Sequence, residues 1–325
     1  MSGQSPTVEE LTALPPRLSG DILALAVRAA QHDGVRPLSE QTVLQARRLP
    51  GEELVPTSTH LVVLDRPGEI NARVLAYGHV DESDPDAPSG EIVVDPEHRR
   101  HGLGGLLLDH VLERWPNVRL WSHGDLPDAR RLYESRRLTV VRELWQMSRP
   151  LAGEWAELPE EVSVPEGFAV RTFRVGEDEE AWLAVNARSF ASHAEQGRMT
   201  LTDLKERQQE PWFDPNGFLL VEDTTDVDPD GRARLAAFHW TKVEQANGGP
   251  LTGEVYVVGV DPDYQGRGLG RAVTVLGLQH LRNVGVDTAT LYVDGDNAAA
   301  IATYGRIGFE RSAVDVMYAA GTPGS

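Results

Sequence analysis

The chain has 325 residues, enough for two domains of ordinary size, and 40% of them are hydrophobic, enough for packed cores. A formal net charge of −19 argues against a nucleic-acid partner, which needs a basic face, and is read first as solubility. With no cysteine there can be no disulfide, thiolate metal site or sulfur nucleophile; the ten histidines show no ligand spacing, and no apolar run reaches the ~20 residues of a membrane span, so a metal-free cytoplasmic protein is expected.

Residues 1–20 are expected to form a flexible tail, polar and proline-bearing through Pro16. Asp21 to Gln31 reads as an amphipathic helix with Ile22, Leu23, Leu25, Ala26 and Ala29 on one face. Ser39 can cap a second helix from Gln41 to Arg48, with Glu40 suiting its positive end. Leu61 to Leu64, Ala72 to Val80 and Glu91 to Val94 read as strands, Leu106 to Trp115 as a helix, Leu120 to His123 as a strand, Asp128 to Glu134 as a helix and Thr139 to Met147 as a strand. Residues 151–167, proline-bearing and without periodicity, are the linker between a first domain at 21–150 and a second at 168–325. The second domain repeats the alternation: strand Ala169 to Thr172, helix Glu177 to Arg188, a helix opening at Thr202, strands Phe218 to Glu222 and Leu235 to Val243, and a buried strand Val255 to Val260. A helix through Leu276, Leu278 and Leu281, a strand Ala289 to Val293, a helix from Asn297 and a strand Ala313 to Tyr318 complete it. Both domains are therefore α/β, each with a mixed sheet.

Two stretches are near copies. Val255 to Val260 runs into Asp261-Pro262 and then Gln265-Gly266-Arg267-Gly268-Leu269-Gly270; Ile92-Val93-Val94 runs into Asp95-Pro96 and then Arg99-Arg100-His101-Gly102-Leu103-Gly104, with identical spacing 166 residues earlier. Glycines between a strand and a helix let backbone N–H groups gather at a positive helix N-terminus, which makes a cradle for an anion. An isolated Gly-x-Gly can be no more than a tight turn, but here the order of strand, loop and helix is right and occurs twice.

Both loops resemble the acetyl-CoA pyrophosphate loop of the GNAT superfamily of N-acetyltransferases. In the second half, Asp296-Asn297-Ala298-Ala299-Ala300-Ile301-Ala302-Thr303-Tyr304 followed by Gly308-Phe309 resembles a further superfamily segment. The resemblance implies two tandem GNAT domains, each a mixed, mostly antiparallel sheet flanked by helices, with acetyl-CoA as cosubstrate.

The halves differ where chemistry is concerned. Glu254 lies seven residues before Asp261, and counting back equally from Asp95 meets Pro88, which cannot act as a base. Tyr304 aligns with Tyr133, but Arg137 and Leu138 stand where the second half has Gly308 and Phe309. Both halves are thus expected to bind a CoA-like ligand, and only the second to catalyse. Acyl transfer to an amine needs the free base, so Glu254 suits a general base, direct or through water, and Tyr304 an acid for the leaving thiolate. Without cysteine, direct attack in a ternary complex is expected. Each residue also has a plainer reading, Glu254 as a solvated strand-end acid and Tyr304 as a core aromatic.

Within tandem GNAT proteins the chain resembles the mycothiol synthases of actinobacteria, over Gly34 to Gln41, Ser189 to Gly197, Phe238 to Val243, Gly253 to Gly270 and Tyr292-Val293. That family acetylates the cysteinyl α-amine of cysteinyl-glucosaminyl-inositol. The resemblance implies that Glu40, Glu195, Lys242, Glu254 and Tyr292 contact this small-molecule acceptor. It further implies that Val258, Gly259 and Val260 hold the pantetheine, that Gln265, Gly266, Arg267, Gly268, Leu269, Gly270 and Arg271 hold the pyrophosphate, and that Asn297, Ala298, Ala299, Ala300, Ile301 and Ala302 flank the cofactor. A second, non-reacting acetyl-CoA would lie on Ile92, Val93, Val94, Arg99, Arg100, His101, Gly102, Leu103, Gly104 and Gly105. Glu40 also reads as a helix-start acid, Glu195 as a surface acid, Lys242 as a strand-end charge and Tyr292 as core. The expected protein is a monomer with no nucleic-acid or membrane partner. Two other readings stay open: a tandem GNAT enzyme for another amine, such as an aminoglycoside, a polyamine or a protein N-terminus, and a non-catalytic acetyl-CoA sensor.

Overall fold

The computed structural model describes residues 6–48, 57–69, 71–153, 156–159, 161–191, 194–227, 231–245 and 250–321. They form two compact units, one of Met1–Leu144 with Ala313–Ser325 and one of Trp145–Ser312.

In the first unit β1 (Val8–Leu11) lies in the stretch expected to be a tail, and pairs antiparallel with β2 (Ser58–Leu64). Its four residues are too few and too acidic to announce a strand, and the pairing comes from β2's open edge. The helix α1 (Pro16–Asp33) is longer than its apolar stripe suggests, opening on a first-turn proline and ending at the left-handed Gly34. Next come α2 (Glu40–Arg47), capped by the Ser39 hydroxyl on the Thr42 N–H, then β3 (Val74–Asp81), β4 (Ser89–Val94), α3 (Leu103–Arg114), β5 (Arg119–Ser122), α4 (Pro127–Ser135) and β6 (Leu138–Pro150), whose residues from Trp145 on belong to the second unit. β2, β3 and β4 are antiparallel neighbours, and β4 runs parallel to β5. Alternate β2 residues serve opposite faces: Leu61 and Val63 pack with α3, Val62 and Leu64 with α1.

The second unit continues with β7 (Phe168–Thr172), α5 (Glu179–Ser189), α6 (Ala194–Gly197), α7 (Leu201–Gln208), β8 (Phe218–Val227), β9 (Ala233–Gln245), β10 (Leu251–Val260), α8 (Leu269–Asn283), β11 (Thr288–Asp294) and α9 (Ala298–Arg306). α7 starts on a reciprocal capping box of Thr200 and Asp203. β8 runs on through Asp223 to Val227, a stretch that reads in sequence as the start of an acidic loop. β7, β8, β9 and β10 are antiparallel in turn, and β10 runs parallel to β11. The faces are again distinct: Trp182, Leu204, Phe218, Phe238 and Trp240 pack on the side of α5 and α7, and Val255, Val275, Leu278 and Leu291 on the side of α8. The last strand, β12 (Glu310–Ala320), pairs through Val316–Tyr318 with β5, so from Ala313 the chain belongs to the first unit and not to the second, as chain order suggests.

The backbones of the two units agree even where their residues do not. Arg100 takes φ +65° where the second unit has Gly266 at +77°, and Arg137 takes +59° where it has Gly308 at +87°. A left-handed backbone costs a non-glycine residue roughly 1–2 kcal/mol. A Cβ at Gly308 meets only the Arg149 guanidinium, at an ordinary 3.7 Å, so backbone strain decides the effect of a substitution there. Gly308→Ala is expected to lower stability by roughly 1–2 kcal/mol in thermal or denaturant unfolding. Arg137→Gly should be neutral or slightly stabilising; a comparable loss there would show that the arginine side chain, not the turn, is what counts.

Candidate active site

Each strand that enters a glycine loop ends on a buried aspartate. Asp95 and Asp261 are both 1% exposed and both accept from the N–H two residues on. Arg28 of α1 binds Asp95, and Arg188 of α5 binds Asp261 through two hydrogen bonds of 2.9 Å. The loops then turn into α3 and α8 at Gly102 and Gly268, at φ +85° and +80°. Neither helix has a side-chain cap or an acid in its first turn, whereas α2, α7 and α9 are capped by Ser39, Thr200 and Asn297. Uncapped first-turn N–H groups with no competing carboxylate are what a phosphate requires. Gln265 to Gly268 and Arg271 are exposed, Leu269 is buried and Gly270 lies against Val260. Arg99 differs from its counterpart Gln265: its guanidinium forks onto Asp33 at 2.7 Å twice and donates to the Val94 carbonyl, tying α1 to the strand end. Asp95, Glu97 and His98 bring possible ligand atoms within 4.8 Å of one another, but Asp95 is committed to Arg28.

Both parallel ladders are short. β4 pairs with β5 only from Ser89–Arg119 to Glu91–Trp121, and β10 with β11 only from Thr252–Thr288 to Val255–Leu291. Beyond those points Ile92 to Val94 and Val257 to Val260 stay paired on their other side, with β3 and β9, while the edge toward β5 or β11 carries no ladder. An open backbone edge beside an uncapped helix start suits a ligand with amides at one end and phosphates at the other. The packing also needs Gly259, where a Cβ would come within 2.8 Å of the Phe238 ring and 3.1 Å of Ser189.

Below the divergence, Lys242, Glu254 and Thr290 form one row across β9, β10 and β11. Gly253 and Val255 face α8, so Glu254 faces the α5 side, with Lys242 beside it. Tyr292 is 44% exposed, since Leu291 and Val293 take the core positions; it lies on the same side as Thr290 and is not the core residue that its strand suggests. Tyr304 on α9 is half-buried, packs edge-on against Phe309, and has its pKa pushed up to about 12 by burial. The Asn297 side chain accepts from the Ala300 N–H at 3.0 Å, so its first task is to cap α9, and Ala298 to Ala302 form that helix's opening turns. Glu40 opens α2 in the first unit, half-buried; Glu195 is on α6, and its side chain lies outside the described residues.

Register corrects the comparison between halves. β10 carries a bulge between Val255 and Val257, with Tyr256 the extra residue, and β4 has none. The residue matching Glu254 is therefore Ser89, opposite Asp81 as Glu254 is opposite Lys242, and not Pro88. The first unit still has no carboxylate there. Its Tyr133 is buried, stacked on Tyr318 with ring centroids 4.7 Å apart. Residue counting also misses a buried cluster beside it: Glu91 accepts from the Ser39 N–H at 2.9 Å and meets one nitrogen of His123 at 3.1 Å, and Asp315 meets the other at 3.0 Å. Burial opposes charge on His123, but Asp315 and Glu91 override it and push its pKa up to about 10. A histidine held protonated is not a base at neutral pH.

Residues 181–309 match the model of the acetyltransferase (GNAT) family, and residues 56–136 that of an acetyltransferase (GNAT) domain. The mycothiol acetyltransferase of Kytococcus sedentarius is 52% identical over 312 residues, covering 95% of each chain. That of Thermobispora bispora is 52% identical over 301 residues, covering 91% of this chain and 94% of its own. Among solved structures, a tandem GNAT protein from the clavulanic acid biosynthesis pathway shares the fold at TM-score 0.66 and 19% identity, over 98% of this chain and all of its own. A GCN5-related N-acetyltransferase from Sphaerobacter thermophilus does so at 0.61 and 23%, over 96% and 94%.

Proposed function

The chain belongs to the mycothiol acetyltransferases of the GNAT superfamily, and we propose that its second unit moves the acetyl group of acetyl-CoA onto the cysteinyl α-amine of desacetylmycothiol. The observation that carries the residue assignment is the row Lys242–Glu254–Thr290, just below the point where β10 and β11 part and on the face away from α8. The pyrophosphate would rest on Gln265 to Arg271 at the start of α8, and the pantetheine amides on the open edge of Val258 to Val260. This aims the thioester toward Glu254.

Glu254 takes a proton from the acceptor ammonium, directly or through water, and the amine forms a C–N bond to the thioester carbonyl. Collapse of the tetrahedral oxyanion breaks the C–S bond, the electron pair leaves on sulfur, and the second proton of the attacking nitrogen passes to the departing thiolate, directly or through water. Tyr304 serves the leaving thiolate as a hydrogen-bond donor. Full transfer from a phenol at about 12 to a thiolate near ~8.5 is uphill by about 5 kcal/mol, so stabilisation of the developing charge is the larger part of its role. Lys242, Tyr292 and Glu195 are assigned to the polyhydroxylated acceptor, which needs charged and polar hydrogen-bonders. The first unit is assigned a second acetyl-CoA, held on Ile92 to Val94 and Arg99 to Gly105. The Ser89 position and the buried Tyr133 favour binding there without turnover.

Acetylation of desacetylmycothiol should exceed that of free cysteine in kcat/KM by up to ~10⁴-fold, because buried groups placed for sugar hydroxyls are left unpaired without them. Equal rates with free cysteine or spermidine would shift the assignment to another amine. Glu254→Gln should lower kcat by ~10²–10⁴-fold at neutral pH with acetyl-CoA binding kept, and the loss should shrink above pH ~8 as the amine deprotonates unaided. A raised acceptor KM with kcat kept would make Glu254 a binding residue only. Calorimetry should count two acetyl-CoA per chain; bulky residues at Gly102 and Gly104 should remove one equivalent and leave turnover, whereas a single equivalent lost on changing Gly268 and Gly270 would rule out the first site.

A further inference from the structure

Lys242 is 4% exposed, which is unusual for a lysine. Its Nζ lies 4.8 Å from the ring centre of Trp212 and 5.5 Å from that of Tyr256, with the Glu244 carboxylate at 3.3 Å. The two rings are in contact at 4.9 Å, and Tyr256 also packs edge-on to Trp240 at 5.1 Å. The Tyr256 hydroxyl accepts from Arg207 Nε at 2.7 Å, and Arg207, itself buried, donates to the Asp203 carbonyl of its own helix. A chain of contacts thus runs from α7 through Tyr256 to the ammonium.

Tyr256 reaches this place because it is the bulged residue. Tyr256 and Val257 both pack on the α5 side, while Val255 and Val258 pack on the α8 side. The first unit provides a control: by register it has Asp81 at the Lys242 position and His79 at the Trp240 position, and nothing matches Tyr256. The lysine and its aromatic cradle therefore occur together, in the unit that has Glu254.

We propose that Trp212, Tyr256 and Arg207 are positioning residues that fix the Lys242 ammonium for acceptor recognition; this rests on the assignment of Lys242 to the acceptor. The ring faces replace water around the charge without directional hydrogen bonds, and Arg207 sets the angle of the Tyr256 ring. Only acceptor affinity should depend on the set, since the acetyl-CoA loop lies at the other end of β10.

The test is a double-mutant cycle read as acceptor KM, acetyl-CoA KM and kcat. Trp212→Leu is expected to raise acceptor KM about 3- to 30-fold, the scale of a desolvated cation–π contact, with acetyl-CoA KM and kcat within about twofold of wild type. Tyr256→Phe should raise it less, and Trp212→Phe should recover part of the affinity. In a Lys242→Met background, Trp212→Leu should add almost nothing. Tyr256→Leu closes the same cycle should Trp212→Leu fail to fold. Equal effects in both backgrounds, or a parallel fall of kcat, acetyl-CoA affinity and melting temperature, would overturn the positioning role and leave the assignment of Lys242 intact. An acceptor KM unmoved by Lys242→Met overturns both.

Discussion

The site depends on a carboxylate buried at a strand end. Asp95 and Asp261 are almost fully withdrawn from water, which is tolerated because an arginine from the first long helix of each unit reaches them and a backbone N–H closes the corner. Removing Arg28 would take from Asp95 its arginine, and removing Arg188 would leave Asp261 only the more distant Arg234, at 3.5 Å. With the pair in place the chain leaves the strand at a fixed angle, and the glycine turn brings the helix start back beside the open edge. Both units keep this pair, and with it the geometry of the loop.

Much of this arrangement was legible because it is local. Strand, Asp-Pro, glycine loop and helix occupy adjacent residues, and spacing alone locates them twice. What was not legible depends on distance or on backbone. Asp315 joins Glu91 and His123 from nearly two hundred residues away. Arg100 and Arg137 hold left-handed positions that only a glycine would have signalled. Tyr292 looked like core because one face of a short strand cannot be told from the other until the neighbouring strands are known. The four-residue β1 exists by virtue of the edge it covers. Counting also failed at Pro88, since a single bulged residue shifts everything before it by one.

The two units divide their polar interiors differently. The first commits its central strand carboxylate, Glu91, to a capping N–H and a protonated histidine, and stacks its equivalent tyrosine under another ring. Those groups hold elements together. The second unit keeps its comparable tyrosine half-exposed and sets Glu254 in a row with Lys242 and Thr290 on the side away from α8. The tyrosine and the central-strand carboxylate are thus buried in one unit and half-buried in the other, on nearly the same backbone.

The bulge at Tyr256 also bears on descent. Two copies of a domain that differ only by substitutions can interconvert through point mutations. These two differ by one residue of length inside a paired strand. Placing a glutamate at Ser89 would give the first unit a carboxylate in the right register, but without the extra aromatic residue or the lysine across from it. Only an in-frame codon gained within β4, or lost within β10, makes the two strands equivalent again. The two sheets are therefore separated by a kind of change that is rarer and harder to reverse than substitution.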